Sequence, residues 1–378
     1  MIQKLRSFSW EWFERKSSQR YIPEIDALRF FAIIPVMLVH FSGALLTHNT
    51  SFDRALIDEG NAVRHALLHG NYGVHLFFAI SGFILTLPFI KRQRSELKFK
   101  KYFIRRLVRI EPPYIIAITL FLIVHIILQE QSIAFLLERY LASFFYVHNI
   151  AFLNASYILP VAWSLEIEVQ FYVLMPLFLI LFKLFDTPYW RYFVYACLLL
   201  CSMYWDIFPF IDLNQYMKFF IAGILSADLY INKVFKRHPI WDIIFIITLP
   251  LFFSFDNNWL RFVCLFGIVT SALNSVHLGK LLTNKMITII GGMCYSLYLL
   301  HYPLYHFMMK LFTNKLTFFE TFEMNYLVQG IIFVPLSIVL ISVYFIVVEK
   351  PFMVLSQKFG KPTTKNNTEE VTTATKAS

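Results

Sequence analysis

Apolar residues in this chain fall in long blocks rather than in the short alternations of surface helices or strands. Ten blocks have membrane-spanning length, near residues 27–46, 73–90, 112–129, 163–183, 192–209, 215–231, 240–255, 259–276, 286–309 and 325–348. A hydrocarbon core of about 30 Å needs roughly 20 apolar residues in helical form, so the pattern predicts ten transmembrane helices. The fold class expected is therefore all-α, a polytopic membrane bundle. No internal repeat and no second soluble domain is visible.

Polar connections add direction. The stretch from Lys91 to Arg109 holds nine basic residues, and Lys233, Lys236 and Arg237 form a second group. Basic loops stay cytoplasmic. The connections 47–72, 130–162 and 310–324 are less basic and alternate with them, which an even number of spans and two cytoplasmic termini satisfy. Residues 1–20 are expected to be a basic cytoplasmic segment, residues 21–356 the membrane domain, and residues 357–378 a polar tail too poor in apolar side chains to order itself. The basic start leads into a span without a small-residue cleavage site, so it reads as a first helix rather than a removed signal.

Composition agrees with this picture: 58% of residues are hydrophobic and 15% charged, with a mean hydropathy of +0.59. A net charge of +10 resides in the loops rather than on one face, so it marks topology, not nucleic-acid binding. Cys197, Cys201, Cys264 and Cys294 all lie in apolar blocks without a CxxC spacing, which indicates neither a disulfide framework nor a metal site.

Within this apolar background a few ionisable residues stand out. In "IDALRFFAIIPVMLVHF", Arg29 and His40 are eleven residues apart, close to three helical turns, which puts them on one face with about 16 Å between them. An ionisable group at the depth of His40 is costly unless it faces the bundle interior. In "NYGVHLFFAISGFILTLPF", Gly73, Ser81 and Gly82 allow close helix approach, while His75 near the outer end has no assigned role. "RRLVRIEPPY" sets Arg106 and Arg109 on one side of a helix, placed to clamp phosphate at the cytoplasmic mouth. "WSLEIEVQFY" carries Glu166 and Glu168, which point in different directions. Glu168, followed by Tyr172, is the one expected to share a cavity with His40. In "SLYLLHYPLYHF", His301 lies in the outer half beside tyrosines, either in an aromatic belt or in the site. Glu349 of "VEKPF" meets the cytoplasm.

These motifs, in this order from Ile25 to Phe352, resemble the acyltransferase-3 family of integral membrane O-acyltransferases, which modify O-antigens, exopolysaccharides and related glycans. The resemblance implies a cytoplasmic acyl-CoA donor, most simply acetyl-CoA, with no bound cofactor and no metal. It further implies an acceptor hydroxyl on a glycan or lipid-linked saccharide outside, a bacterial cytoplasmic membrane, and a place beside polysaccharide synthesis. The catalytic histidine carries over to His40 and the donor-binding arginines to Arg29, Arg106 and Arg109; Glu168 would orient His40 or the acceptor, with Tyr172 and His301 on the acceptor side. Two positions depart from the family: His75 stands where "GVDLFF" is frequent, and Val169 where a second glutamate is frequent. The rival reading is a transporter or flippase for a polysaccharide precursor, whose intramembrane ionisable residues would form a relay.

Overall fold

The structure is a computed structural model that describes residues 12–14, 21–90, 99–129, 131–185, 187–205 and 212–358. Among them it is entirely helical. Chain order gives α1 (Pro23–His48), α2 (Arg54–Gly60), α3 (Ala62–Leu68), α4 (Gly73–Thr86), α5 (Phe99–Ile127), α6 (Ile133–Phe144), α7 (His148–Phe152), α8 (Trp163–Phe182) and α9 (Pro188–Tyr204). It continues through α10 (Leu213–Ile231), α11 (Ile240–Ser254), α12 (Asn258–Asn274), α13 (Gly279–Leu282), α14 (Lys285–Gly292), α15 (Cys294–Phe312), α16 (Phe322–Tyr344) and α17 (Lys350–Lys358).

Each of the ten apolar blocks contains helix among the described residues, but only five described stretches are long and apolar enough to cross a membrane alone: Pro23–His48, Ala62–Thr86, Tyr102–Ile127, Pro160–Phe182 and Phe322–Lys358. A sixth arises if α14 and α15, bent by 70° at their junction, count as one span. The shortfall has a physical reason. Helices α9 and α12 have 17 residues and α11 has 15, rising about 22–26 Å, and α9, α10 and α12 carry Arg191, Lys218, Asp228 and Arg261.

The helix faces sort by exposure as a bilayer requires. Ile116, Leu120 and Ile123 of α5, and Ile331, Val339 and Val343 of α16, point outward. Such a belt would be unfavourable in water and costs nothing against lipid chains. Most expected loop features lie elsewhere: the Lys91–Lys98 stretch, most of residues 1–20 and residues 359–378 are outside the described residues. Helix α17 runs to Lys358, two residues into the segment expected to be a disordered tail.

Glycine sets the tightest contacts, as the small residues of the second block predict. A Cβ on Gly82 would stand 2.2 Å from the Phe220 carbonyl oxygen, and one on Gly223 1.7 Å from that of Ala79, so α4 and α10 touch backbone to backbone. Gly73 meets Ala32 of α1 in the same way, at 2.2 Å. Gly291 of α14 crosses α1 at Asp26, where a Cβ would be 1.7 Å from the carbonyl oxygen. Past that crossing the chain breaks at Met293 (φ −98°, ψ 17°), and α15 then runs beside α1. Glu349 steadies the break by accepting from the backbone N–H of Ser296 at 3.1 Å and its hydroxyl at 2.5 Å, a carboxylate at the N-terminal turn of α15.

Candidate active site

Two polar centres lie along α1, one near each end. The first is a pocket of about 800 Å³, counting its open side, between α1, α4, α5, α8 and the start of α15. Arg29, Arg106 and Arg109 converge on it, with Glu168 opposite. Arg29 also pairs with Asp26 one turn earlier on α1. Arg106 and Arg109 line the same space, being three apart on α5, which continues as a helix through Pro112 and Pro113. Phe77, Ile80 and Ile84 supply an apolar wall. A cationic mouth on an apolar cleft fits an anionic ligand with an uncharged arm.

Glu168 belongs to this pocket. Its carboxylate accepts from the hydroxyls of Ser81 and Tyr172, and the Arg106 guanidinium lies over the Tyr172 ring, 5.4 Å from its centre. The expectation that Glu168 orients His40 is therefore replaced. Helical rise gave the two residues similar depths, but depth does not fix azimuth, and Glu168 turns toward α4. Tyr172, expected on the acceptor side, sits one turn further along α8 and comes under Arg106 instead.

The second centre is formed by His40 and His301, joined through Nδ1 and Nε2 at 2.8 Å. Their planes differ by 10° with ring centres 5.0 Å apart, which is the geometry of two rings edge to edge in one plane. His301 is fully buried, and its Nδ1 lies 2.8 Å from the Leu297 carbonyl oxygen. This contact assigns the tautomers. A carbonyl only accepts, so His301 carries its proton on Nδ1 and, when neutral, presents a lone pair at Nε2. His40 must then donate from Nδ1, which leaves its Nε2 unprotonated. An imidazole with a free Nε2 and an anchored Nδ1–H is arranged as a general base.

Neither histidine lines the arginine pocket. Between the centres stands Tyr298, one turn before His301 on α15, with ring centres 6.2 Å apart. Tyr298 lines the pocket, and its hydroxyl meets Ser164 Oγ at 2.6 Å and donates to the Val161 carbonyl. Both centres thus abut the same tyrosine.

Other residues singled out in the sequence take structural places. Glu166 is fully buried and accepts from the backbone N–H of Asn149 at 2.8 Å, at the start of α7. His75 stacks on Phe219 with centres 4.1 Å apart. Among the described residues no group of three or more His, Cys, Asp or Glu is placed to hold a metal ion. The sequence reading missed Tyr298, Ser164 and a second imidazole pair, His48 Nε2 to His306 Nδ1 at 3.1 Å. The available signal was that α1 and α15 each carry two histidines. Their pairing, 40 with 301 and 48 with 306, also shows that the two helices run in the same direction.

Comparison with known proteins follows the same outline. A family model described as an acyltransferase domain matches residues 22–346. Over 330 residues the chain is 27% identical to the peptidoglycan O-acetyltransferase OatA of Listeria monocytogenes, a match covering 76% of this chain and 50% of that protein. Over 332 residues it is 26% identical to the O-acetyltransferase OatA of Staphylococcus aureus, covering 77% and 52% respectively. The chain spans about half the length of these relatives. No solved structure matches it.

Proposed function

This chain belongs to the membrane acyltransferase family whose domain covers residues 22–346, and on that premise we propose that it is a membrane O-acyltransferase. It takes an acyl group, most simply acetyl, from cytoplasmic acyl-CoA and passes it to a hydroxyl of a glycan outside the cell membrane. The observation that carries this reading is the His40–His301 pair, which leaves the Nε2 of His40 free and whose His301 abuts Tyr298 of the three-arginine pocket.

The orientation in this reading puts the Arg29 end of α1 inside, for which the basic loops of the sequence speak. Helix directions support ten passes. Helices α4, α8 and α10 run parallel, as paired contacts along them require: Phe78–Trp163 with Ser81–Glu168, His75–Phe219 with Phe83–Tyr230, and Trp163–Tyr216 with Phe171–Phe220; α1 likewise parallels α15. Alternating passes give this for the second, fourth and sixth segments and for the first and ninth.

The division of labour follows from charge and reach. Arg106, Arg109 and Arg29 neutralise donor phosphates at the inner mouth. Glu168 holds the Tyr172 ring under Arg106 and so fixes the clamp. The thioester arm extends along Phe77 and Ile80 toward Tyr298. On the far side His40 Nε2 takes the proton of the acceptor hydroxyl as oxygen attacks the thioester carbon, and the His40 Nδ1–H bond to His301 strengthens as the ring becomes cationic. The acceptor is a cell-envelope glycan, in keeping with the peptidoglycan acetyltransferase named among the relatives.

Membranes containing this chain should move radiolabel from acetyl-CoA into glycan, and matched membranes without it should not. Equal incorporation by both would remove the reading, and glycan transport without acetylation would support the transporter alternative.

A further inference from the structure

The proton taken by His40 either returns to the departing thiolate or leaves by another route, and a second histidine pair, His48 with His306, lies further along the same two helices. The line of rings begins at buried His301. It passes to His40, then to Tyr302, whose ring is 5.3 Å from that of His40 and perpendicular to it. It reaches His306, 4.5 Å from Tyr302, and ends at His48, bonded to His306 at 3.1 Å. Exposure rises along it: His301 is fully buried, His40, Tyr302, His306 and His48 are partly exposed, and Thr47 and Thr50 beside His48 are open.

The two imidazole pairs differ in one respect that bears on their role. The Leu297 carbonyl locks the tautomer of His301. Among the described residues no carbonyl is bonded to the ring of His48 or His306, so the proton they share can sit on either ring. A locked pair orients a base; an unlocked pair can pass a proton on. The charged groups facing the line are Arg54 of α2 and Lys310 of α15 near the outer pair, and Arg64 of α3 near His40. All three are cations, which oppose a resident positive charge on the rings and favour its release. Asp58 is taken up by Arg54 and Arg64.

We propose that His306 and His48, reached past Tyr302, form the outlet through which the proton collected by His40 leaves to the outer side. The step balances. The acceptor O–H bond breaks as its oxygen bonds to the acyl carbon, and the carbon–sulfur bond breaks to release CoA thiolate on the cytoplasmic side. The thiolate takes a proton from cytoplasmic water. The hydroxyl proton moves from His40 to His306 and His48 and then to outer water. With this outlet each acyl transfer takes up one proton inside and liberates one outside, while the overall reaction of thioester and alcohol to ester and thiol stays proton-neutral.

The inference rests on the acyl-transfer reading, and its test separates the two. Protein is reconstituted in vesicles, with acetyl-CoA on the donor side and a soluble peptidoglycan fragment on the other, in weak buffer. Wild type, His306→Gln, His306→Asn and His48→Gln are compared with and without imidazole on the acceptor side. The expected result is turnover lowered about 10- to 100-fold in the variants, with unchanged KM for acetyl-CoA, and restored by imidazole that leaves wild type unaffected. Unchanged turnover, or a loss that imidazole does not repair, would overturn the relay. Absence of transfer by wild type would overturn the reading beneath it.

Discussion

His40 and His301, 261 positions apart in the chain, share one hydrogen bond of 2.8 Å, from Nδ1 of the first to Nε2 of the second. Its donor is decided two atoms away, at the Leu297 carbonyl. A backbone group on α15 thus determines which nitrogen of a side chain on α1 is free for chemistry. His301 occupies the place that a carboxylate fills in a serine-protease triad, with the difference that it contributes orientation without a formal charge.

Removing that partner should damage catalysis more than binding. His301→Ala leaves the Nδ1 of His40 unanchored and lets its proton move to Nε2, where it blocks the base. Turnover should fall on the order of 100-fold with KM for acetyl-CoA little changed. His301→Gln, whose amide oxygen can accept from Nδ1, should retain more activity than His301→Ala. Steady-state kinetics of the two variants decide the point, and equal activities would speak against the tautomer argument.

The arginine pocket makes the opposite prediction. Arg106→Ala or Arg109→Ala should weaken CoA binding by about 10- to 100-fold, the worth of a charge-assisted hydrogen bond of about 1.5–3 kcal/mol. Lysine at either position should recover part of this, as a point charge without the fork. Titration calorimetry with CoA and with dephospho-CoA would show which phosphate each arginine holds.

Much of this was readable from one sequence, and what was missed has a common cause. Periodicity placed Arg106 and Arg109 on one side of a helix because both lie on the same element. It likewise identified Gly73 and Gly82 as contact points, since a missing side chain permits close approach whatever the partner. Relations between elements were less accessible. The bond from His40 to His301 depends on α1 and α15 lying side by side, and depth arithmetic alone wrongly matched His40 with Glu168. The 70° bend between α14 and α15 was hidden in a continuous apolar block, since the close approach of Gly291 to Asp26 just before it is a relation between elements.

Those crossings should carry stability. Gly223→Ala pushes a Cβ to 1.7 Å from the Ala79 carbonyl oxygen, and Gly291→Ala does the same at Asp26. Each should destabilise by about 1–3 kcal/mol or more, since backbone cannot yield as a side chain can. Gly43 has nothing within 4 Å of its Cβ position, so Gly43→Ala should be neutral or stabilise by up to about 1 kcal/mol. Thermal unfolding in detergent compares the three, and a Gly223→Ala midpoint equal to that of Gly43→Ala would contradict the packing described.

Acid should loosen the outer connection in a defined direction. Burial works to raise the pKa of Asp58, but hydrogen bonds and charges of Arg64 and Arg54 outweigh it and hold the carboxyl below its usual range. Arg64 donates to Asp58 at 2.7 Å and to Ser42 at 2.5 Å, tying the α2–α3 connection to α1. A carboxylate with a depressed folded pKa stabilises fully above its unfolded value, about 3.9, and loses that contribution as pH falls through the lower folded value. Protection against hydrogen exchange in residues 54–68, relative to the intrinsic rate at each pH, should therefore fall below pH of about 4, and Asp58→Asn should show the lower protection already at neutral pH. Identical exchange in the variant and wild type at neutral pH would show that the clamp does not hold the connection.

In the proposed transfer the Nε2 of His40 takes the acceptor proton. The most direct measurement is single-turnover transfer of radiolabelled acetyl from acetyl-CoA to glycan by reconstituted wild type and His40→Ala, with CoA binding measured on the same samples. The predicted result is unchanged CoA binding and a transfer rate about 10²–10⁴-fold lower in the variant. Transfer by His40→Ala at the wild-type rate, with CoA bound equally well, would contradict the account.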